Sequence, residues 1–194
     1  HIATFAIDTR GHGFSEGKRG HIPSLNMVLN DTEELMMYAR EMFNDCPMVL
    51  YGHSFGGNIV TNFVLKQNVS ELKGVIISSP WLELAIEPPS WQRKAAFFTS
   101  RFLPSLVQSN ELDVNDLTNL DAVNQAYKND PLVHDRISTR LFTEGYKAGK
   151  WVLENTDLMK IPAFIFHGSD DAITSCDSSR RFAERIGEKG TFTC

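Results

Sequence analysis

The chain has 194 residues, of which 42% are hydrophobic and 22% are charged, and its formal net charge is −5. This composition is ordinary for a globular protein, and the length suits one domain with a sizeable core. The negative charge without any basic block excludes nucleic acid as an expected partner, and the sequence has no apolar run of 18 residues that would predict a membrane span.

Strands and helices alternate along the first part of the chain. Apolar runs at residues 2–7, 48–51 and 74–77 predict strands, the first of them buried on both faces. Helical spacing of apolar residues predicts helices over residues 24–43, with Ser24 as the N-cap, and over residues 55–66. This order is typical of an α/β fold with a doubly wound, mostly parallel sheet.

About eighty residues then follow before the next strand, which is more than a crossover between neighbouring strands needs. Helical segments are predicted there at residues 91–103, 119–128 and 137–153, without a comparable strand. A fourth strand at residues 162–166, a helix at 178–186 and a strand starting near Gly190 complete the chain. We therefore predict a core at residues 1–80 and 162–194, and an inserted helical cap at residues 81–161.

Gly52, His53, Ser54, Phe55 and Gly56 form a Gly-x-Ser-x-Gly turn between a predicted strand and a predicted helix. This is the pattern of a nucleophile elbow. Glycines on both sides of the serine remove side chains that would collide with the strand and the helix, and the serine hydroxyl is exposed above the sheet. We predict Ser54 as the nucleophile and the backbone N–H of Phe55 as an oxyanion donor.

A serine nucleophile needs a histidine to take its proton and a carboxylate to orient that histidine. In proteins with this elbow the chain order is the serine, then the acid, then the histidine. The turn after the fourth strand offers both Asp170 and Asp171 as the acid. No histidine follows them. His134 is expected to be structural, and we expect the general base to lie beyond Cys194. Both ends of the sequence are typical of a fragment.

Cys46, Cys176 and Cys194 are widely spaced and form no Cys-x-x-Cys motif. A disulfide framework or a zinc site is therefore not expected, and a reducing compartment is favoured. Each cysteine is interpreted first as a small hydrophobe, and Cys176 also as a modifiable thiol near the acid. The predicted chemistry requires neither a metal nor an organic cofactor.

Several motifs in one order resemble the monoacylglycerol lipase and lysophospholipase group of α/β-hydrolases, the serine aminopeptidase S33-like hydrolases. They are the Asp-x-Arg-Gly-x-Gly-x-Ser turn at residues 8–15, its continuation at 17–22, the elbow at 52–57, Ser79-Pro80, residues 129–134 and residues 167–171. The resemblance implies that Ser54 is the nucleophile, Asp171 is the acid and Phe55 provides one oxyanion donor. It also implies that Asp8, Arg10 and His12 shape a turn, and that the second donor precedes His1. The 194-residue chain alone is then expected to be inactive.

The same resemblance implies a single-chain acyl ester as the substrate, with monoacylglycerol ahead of lysophospholipid. Dense apolar residues of the cap are expected to cover a pocket, and some of them to touch a lipid surface, on a cytoplasmic protein peripheral to the membrane. A broad carboxylesterase, a proline-iminopeptidase-like hydrolase and a non-catalytic binding protein on the same fold stay open as alternatives. The oligomeric state also stays open.

Overall fold

The computed structural model describes residues 2–110, 112–118 and 120–194. Its main sheet is parallel, with the strand order β1-β2-β5-β6. An α/β architecture with a mostly parallel sheet is therefore confirmed. The strands are β1 (Met48–His53), β2 (Leu72–Ser78), β3 (Val107–Ser109), β4 (Arg136–Ser138), β5 (Ala163–Phe166) and β6 (Gly190–Thr193), and the helices are α1 (Leu25–Met42), α2 (Phe55–Lys66), α3 (Ser90–Phe102), α4 (Asp121–Asn129), α5 (Thr139–Glu154) and α6 (Cys176–Ile186).

The buried face of the main sheet is built from alternate residues of each strand. Leu50 of β1 lies opposite Val75 of β2, and Val75 lies opposite Ala163 of β5. Two positions further along, Ile77 and Ile165 face each other and are fully buried. Because side chains of a strand alternate between the two faces, this shared register brings the apolar set together in one core.

Four of the described helices form a layer over this core. Helix α2 contacts β1 and β2, helix α6 contacts β5 and β6, and α1 and α5 pack against α2. Ser24 caps α1 by accepting a hydrogen bond from the amide of Met27, as predicted. Val49, Tyr51 and Phe164 are exposed on the other face of the sheet, so these helices cover one side of it.

The prediction of a buried strand at residues 2–7 is wrong. Within the described residues this segment pairs with no strand, and Ile2 is 94% exposed. Phe5 stacks on Tyr38 of α1 instead, with ring centroids 5.5 Å apart. An apolar run indicates a tendency to be buried, but a strand forms only where a neighbouring backbone offers hydrogen bonds.

The segment between β2 and β5 carries α3, α4 and α5 near their predicted positions. It also contains an antiparallel pair, β3 with β4, which the sequence did not predict. Each of these strands has three residues, too few to show period-two alternation. The pair is anchored by a tertiary contact, since the amide of Ser138 donates to the carbonyl of Gly20 at 2.8 Å.

Helix α5 joins this segment to the core. Val152 is fully buried, and a Cβ at Gly149 would lie 2.2 Å from the carbonyl oxygen of Leu82, so the helix approaches closely. The side-chain amide of Asn58 in α2 donates to the carbonyl of Gly145 at 3.0 Å. The division of the chain at residues 81–161 stays a prediction. None of the described helices is both long and apolar enough to cross a membrane.

A turn near the start of the chain is fixed to α1. The guanidinium of Arg10 donates to both carboxylate oxygens of Asp31, with Nε 2.7 Å from Oδ2. The carboxylate of Asp8 accepts from the amide of Phe14 at 2.9 Å. Gly13 has a φ of 52°, and a Cβ there would lie 2.3 Å from the carboxyl carbon of Asp8. Asp8 and Arg10 therefore shape the turn.

Candidate active site

Ser54 lies between β1 and α2 in a strained backbone conformation. Its φ is 52° and its ψ is −116°, a region that residues other than glycine rarely occupy. Three backbone hydrogen bonds hold this conformation. The amide of Ser54 donates to the carbonyl of Ser78 at 3.0 Å, and the carbonyl of Ser54 accepts from the amides of Asn58 and Trp81, each at 3.0 Å. Such strain persists only where the surrounding structure fixes it, which is common at functional sites.

The position at the N-terminus of α2 supplies the electrostatics of the site. Ser54 faces a cavity, and in the described part of the chain its hydroxyl forms no hydrogen bond. Phe55 is the first residue of α2, and the first N–H groups of a helix have no acceptor within the helix. The amide of Phe55 is therefore available to an anion that develops next to the serine.

The steric role of the glycines differs from the sequence-based prediction at one position. A Cβ at Gly52 would lie 2.3 Å from the carbonyl oxygen of Gly56, so Gly52 is required as predicted. A Cβ at Gly56 would meet nothing within 4 Å of the described structure, and the prediction of a collision there is wrong. The second close approach is at Gly57, where a Cβ would lie 2.9 Å from Pro80. The turn thus requires the first and third glycines of the motif.

Replacing Gly52 with alanine is expected to lower the free energy of unfolding by about 1–3 kcal/mol, because the methyl group forces the strand and the helix apart. Gly56→Ala is the matched control, and it should be neutral or stabilising by about 0.5 kcal/mol, since alanine favours a helix over glycine. Urea denaturation of the full-length protein measures both. Equal losses in the two variants would contradict the steric account.

Asp171 lies in the turn after β5 and is held by several donors. Its Oδ1 accepts from the amides of Ile173 and Thr174, at 2.9 and 2.8 Å. Its Oδ2 accepts from the hydroxyl of Thr174 at 3.0 Å and lies 3.3 Å from Nε2 of His167. The neighbouring Asp170 is exposed. The structure therefore distinguishes the two aspartates: one carboxylate is fixed by the turn, and the other faces solvent.

These hydrogen bonds keep Asp171 ionised. Partial burial alone would raise the pKa of the carboxyl group, but the hydrogen bonds from His167, Thr174 and Ile173 outweigh it and hold the pKa well below its usual range. A fixed carboxylate that is charged at every ordinary pH suits the orientation of a neighbouring imidazole.

The described histidines have partners other than Ser54. Nδ1 of His53 is 2.9 Å from the hydroxyl of Ser78, so its side chain is directed away from the nucleophile, as predicted. His167 is buried and its Nδ1 lies 2.8 Å from the hydroxyl of Ser179. It contacts Asp171 and positions that carboxylate. His1 lies outside the described residues.

Two further histidines belong to the cavity wall. His134 donates from Nε2 to the carbonyl of Gly11 at 3.0 Å and accepts from the amide of Arg136 at its Nδ1, at 3.2 Å. The ring of His12 packs against it at a tilt of 34°, with ring centroids 4.9 Å apart. Burial, together with the neighbouring His134 and Arg19, lowers the pKa of His12. The lowered pKa favours a neutral His12 ring near pH 7, and both rings lie on the wall of the cavity.

The cavity in front of Ser54 has a volume of about 800 Å³, which is within the usual size of small-ligand sites. Phe55 lies on its wall, and the ring of Trp81 packs between Phe55 and Phe142, with centroids 6.0 and 6.1 Å away. Asp171 is not on the wall, but Ile173 and Thr174 are. Most of the remaining apolar lining comes from the segment between β2 and β5: Leu84, Trp91, Leu106, Leu112, Ile137 and Leu141.

Sequence reasoning missed Thr174 and His167 as the donors that fix Asp171. A threonine three residues after an aspartate is a pattern of local turn chemistry, and this signal was available. The described residues contain no group of three or more histidine, cysteine, aspartate or glutamate side chains that could hold a metal ion.

Comparison with known proteins relates this geometry to a family. The family model described as Serine aminopeptidase, S33 matches residues 1–194. A putative monoglyceride lipase of Schizosaccharomyces pombe is 30% identical over 97% of this chain, and Phospholipase YtpA of Bacillus subtilis is 29% identical over 86% of it. The chain spans 51% and 64% of the length of these two relatives.

The fold is similar to that of a solved lipase. The crystal structure of the monoacylglycerol lipase of Paleococcus ferrophilus matches with a TM-score of 0.85 and 30% sequence identity. The match covers 94% of this chain and 69% of the other chain. Sequence and structure thus point to the same group of proteins.

Proposed function

The chain belongs to the serine aminopeptidase S33 family of α/β-hydrolases, and from this membership we propose that the full-length protein cleaves the ester bond of a single-chain acyl lipid, monoacylglycerol first. The observation that carries the proposal is Ser54, strained at the start of α2 and facing a cavity of about 800 Å³. The names of the lipases that resemble the chain support the choice of substrate.

The proposed reaction has two half-reactions. The oxygen of Ser54 attacks the ester carbonyl while a histidine takes its proton, and the amide of Phe55 stabilises the oxyanion. The histidine then gives the proton to the departing glycerol oxygen, leaving an acyl-serine. Water, activated by the same histidine, hydrolyses this intermediate and restores the serine. Asp171 is proposed to orient the histidine and to balance its positive charge.

The general base of this mechanism is proposed to lie outside residues 1–194, together with the second oxyanion donor. The five described histidines have other hydrogen-bond partners, and none of them is bonded to Ser54: they are His12, His21, His53, His134 and His167. We therefore expect the 194-residue chain by itself to hydrolyse esters poorly. The experiments below use the full-length protein.

A fluorophosphonate probe tests the proposal, since it labels activated serines. The labelled peptide is expected to contain Ser54, and the same preparation should release fatty acid from a long-chain monoacylglycerol. Labelling at another serine alone, or labelling without hydrolysis of any ester, would refute the proposed function. The second result would favour a non-catalytic role on the same fold.

A lysophospholipid is the second candidate substrate. Arg93 and Arg136 contribute to the cavity wall, and a guanidinium group suits a phosphate. Arg93 is also paired with Glu87, 2.7 Å away. The similarity to Phospholipase YtpA supports this candidate as well. The ratio of kcat/KM for monoacylglycerol and for a lysophospholipid of equal acyl length decides between them.

Ala96 of α3 lies on the cavity wall, and filling the cavity there should shorten the acyl chain that fits. Ala96→Trp is expected to lower kcat/KM for a sixteen-carbon p-nitrophenyl ester by roughly 10- to 100-fold, and to change that for a two-carbon ester much less, because a few buried methylene groups account for about 1–3 kcal/mol. Ala122→Trp is the matched control, since Ala122 of α4 is exposed and lies outside the cavity. An equal loss for both esters would exclude this wall as the acyl site.

We also propose that the segment between β2 and β5 contacts lipid surfaces. Its helix α3 exposes three aromatic side chains, Trp91, Phe98 and Phe102, each by more than half. Exposed apolar side chains grouped on one element are typical of interaction sites. Co-sedimentation with phosphatidylcholine vesicles, weakened by Phe98→Ser, is the expected result. Full retention of binding in this variant would place the contact elsewhere.

A further inference from the structure

Two of the three cysteines lie together although 18 positions separate them along the chain. The sulfur atoms of Cys176 and Cys194 are 3.0 Å apart. Cys176 is the first residue of α6, and Cys194 directly follows β6. A disulfide requires sulfur atoms about 2.05 Å apart, so the two thiols need to approach by about 1 Å to form one.

The backbone on each side of the pair is anchored. Ser175, next to Cys176, donates its amide hydrogen to the carbonyl of Glu83 at 3.0 Å and caps α6 with its side chain. Thr193, next to Cys194, accepts from the amide of His167 at 3.1 Å. One anchor is the N-cap residue of α6, and the other lies in β6. The short sulfur–sulfur distance therefore follows from the fold.

From this geometry we infer that Cys176 and Cys194 form a reversible, redox-responsive disulfide that links the start of α6 to the end of β6. Its site adjoins the turn that carries Asp171, which ends at Ser175. The inference rests on the positions of the sulfur atoms and is independent of the proposed function. A bond at this point would fix the acid turn to the neighbouring strand.

The oxidation needs a disulfide such as oxidised glutathione as co-reactant. Cys194 is exposed, and its thiolate attacks the oxidant first, releasing one glutathione and forming a mixed disulfide. Burial and the hydrogen bond with Cys194 raise the pKa of Cys176 to about 11, although Arg180 lowers it in part. Cys176 is therefore the second thiol to react. Its thiolate attacks the sulfur of Cys194 and releases the second glutathione, so two protein thiols lose two protons and two electrons.

The test is equilibration of the full-length protein with oxidised and reduced glutathione, followed by alkylation and peptide mapping. We expect one peptide pair joined through Cys176 and Cys194, reversed by dithiothreitol, in the wild type and in Cys46→Ser. Cys46 is an exposed free cysteine in the loop between α1 and β1, which makes it the matched control. Cys194→Ser should abolish the linked pair.

A second readout is thermal stability. Closing an 18-residue span is expected to raise Tm by roughly 5 °C or more in the oxidised wild type, and to leave Cys194→Ser unchanged. The inference is overturned if Cys194 stops at the glutathione mixed disulfide, or if neither cysteine is oxidised under conditions that oxidise free thiols. It is also overturned if the linked pair involves Cys46.

Discussion

Ser54→Ala is expected to reduce esterase activity of the full-length protein by roughly 10⁴-fold or more, because no other group replaces the nucleophile and only binding and oxyanion stabilisation remain. The variant keeps a Cβ at a φ of 52°, so the backbone strain and the fold should be retained. The measurement is kcat/KM for a monoacylglycerol, together with the free energy of unfolding.

Ser70→Ala is the control for this prediction, since Ser70 is exposed on the loop between α2 and β2. It should keep activity within about twofold, as expected for a surface change. Ser54→Gly adds a second check: it removes the hydroxyl and also relieves the strain, so it should be inactive but more stable by about 1 kcal/mol. Activity retained in Ser54→Ala would exclude the acyl-serine mechanism.

Much of the fold was predictable because local signals agree with the final packing. Helix α2 begins at Phe55 and ends at Lys66 as predicted, since a glycine-rich turn starts it and an apolar face continues through it. The N-cap at Ser24 was also predictable from one residue type at one position. Residues 2–7 were not, because their apolar run has the same appearance whether or not a neighbouring strand is present.

In the candidate site, too, some features are predictable from the local sequence and others depend on tertiary contacts. The position of Ser54 follows from the motif, but the need for a glycine at position 57 depends on Pro80, a residue distant in sequence that reaches the turn through β2. The local turn chemistry that fixes Asp171 could have been predicted from Thr174. The approach of Cys194 to Cys176 could not, because it depends on β6 lying next to β5 and on the direction in which α6 leaves the acid turn. Contacts of this kind require the tertiary structure.

Asp171→Asn is expected to lower kcat by roughly 10³- to 10⁴-fold, because the amide keeps the shape of the side chain but cannot orient a histidine in the required tautomer or balance its charge. Asp170→Asn is the matched control one residue away, and its exposed side chain predicts activity within about twofold. If Asp170→Asn lost activity and Asp171→Asn kept it, Asp170 would be the acid. If both variants kept the activity of the wild type, neither aspartate of this turn would be the acid.

The pH dependence of stability is a separate test of the environment of Asp171. A carboxyl group whose pKa is lowered by folding stabilises the protein above its unfolded pKa of about 3.9, and this contribution disappears as the pH falls toward the folded value. The difference in free energy of unfolding between wild type and Asp171→Asn should therefore be constant above about pH 5 and shrink as the pH falls below about 4. Urea denaturation at pH 7, 5, 4 and 3 measures it. A difference that grew in acid would mean that folding raises the pKa of Asp171, which the hydrogen bonds from Thr174 and Ile173 oppose.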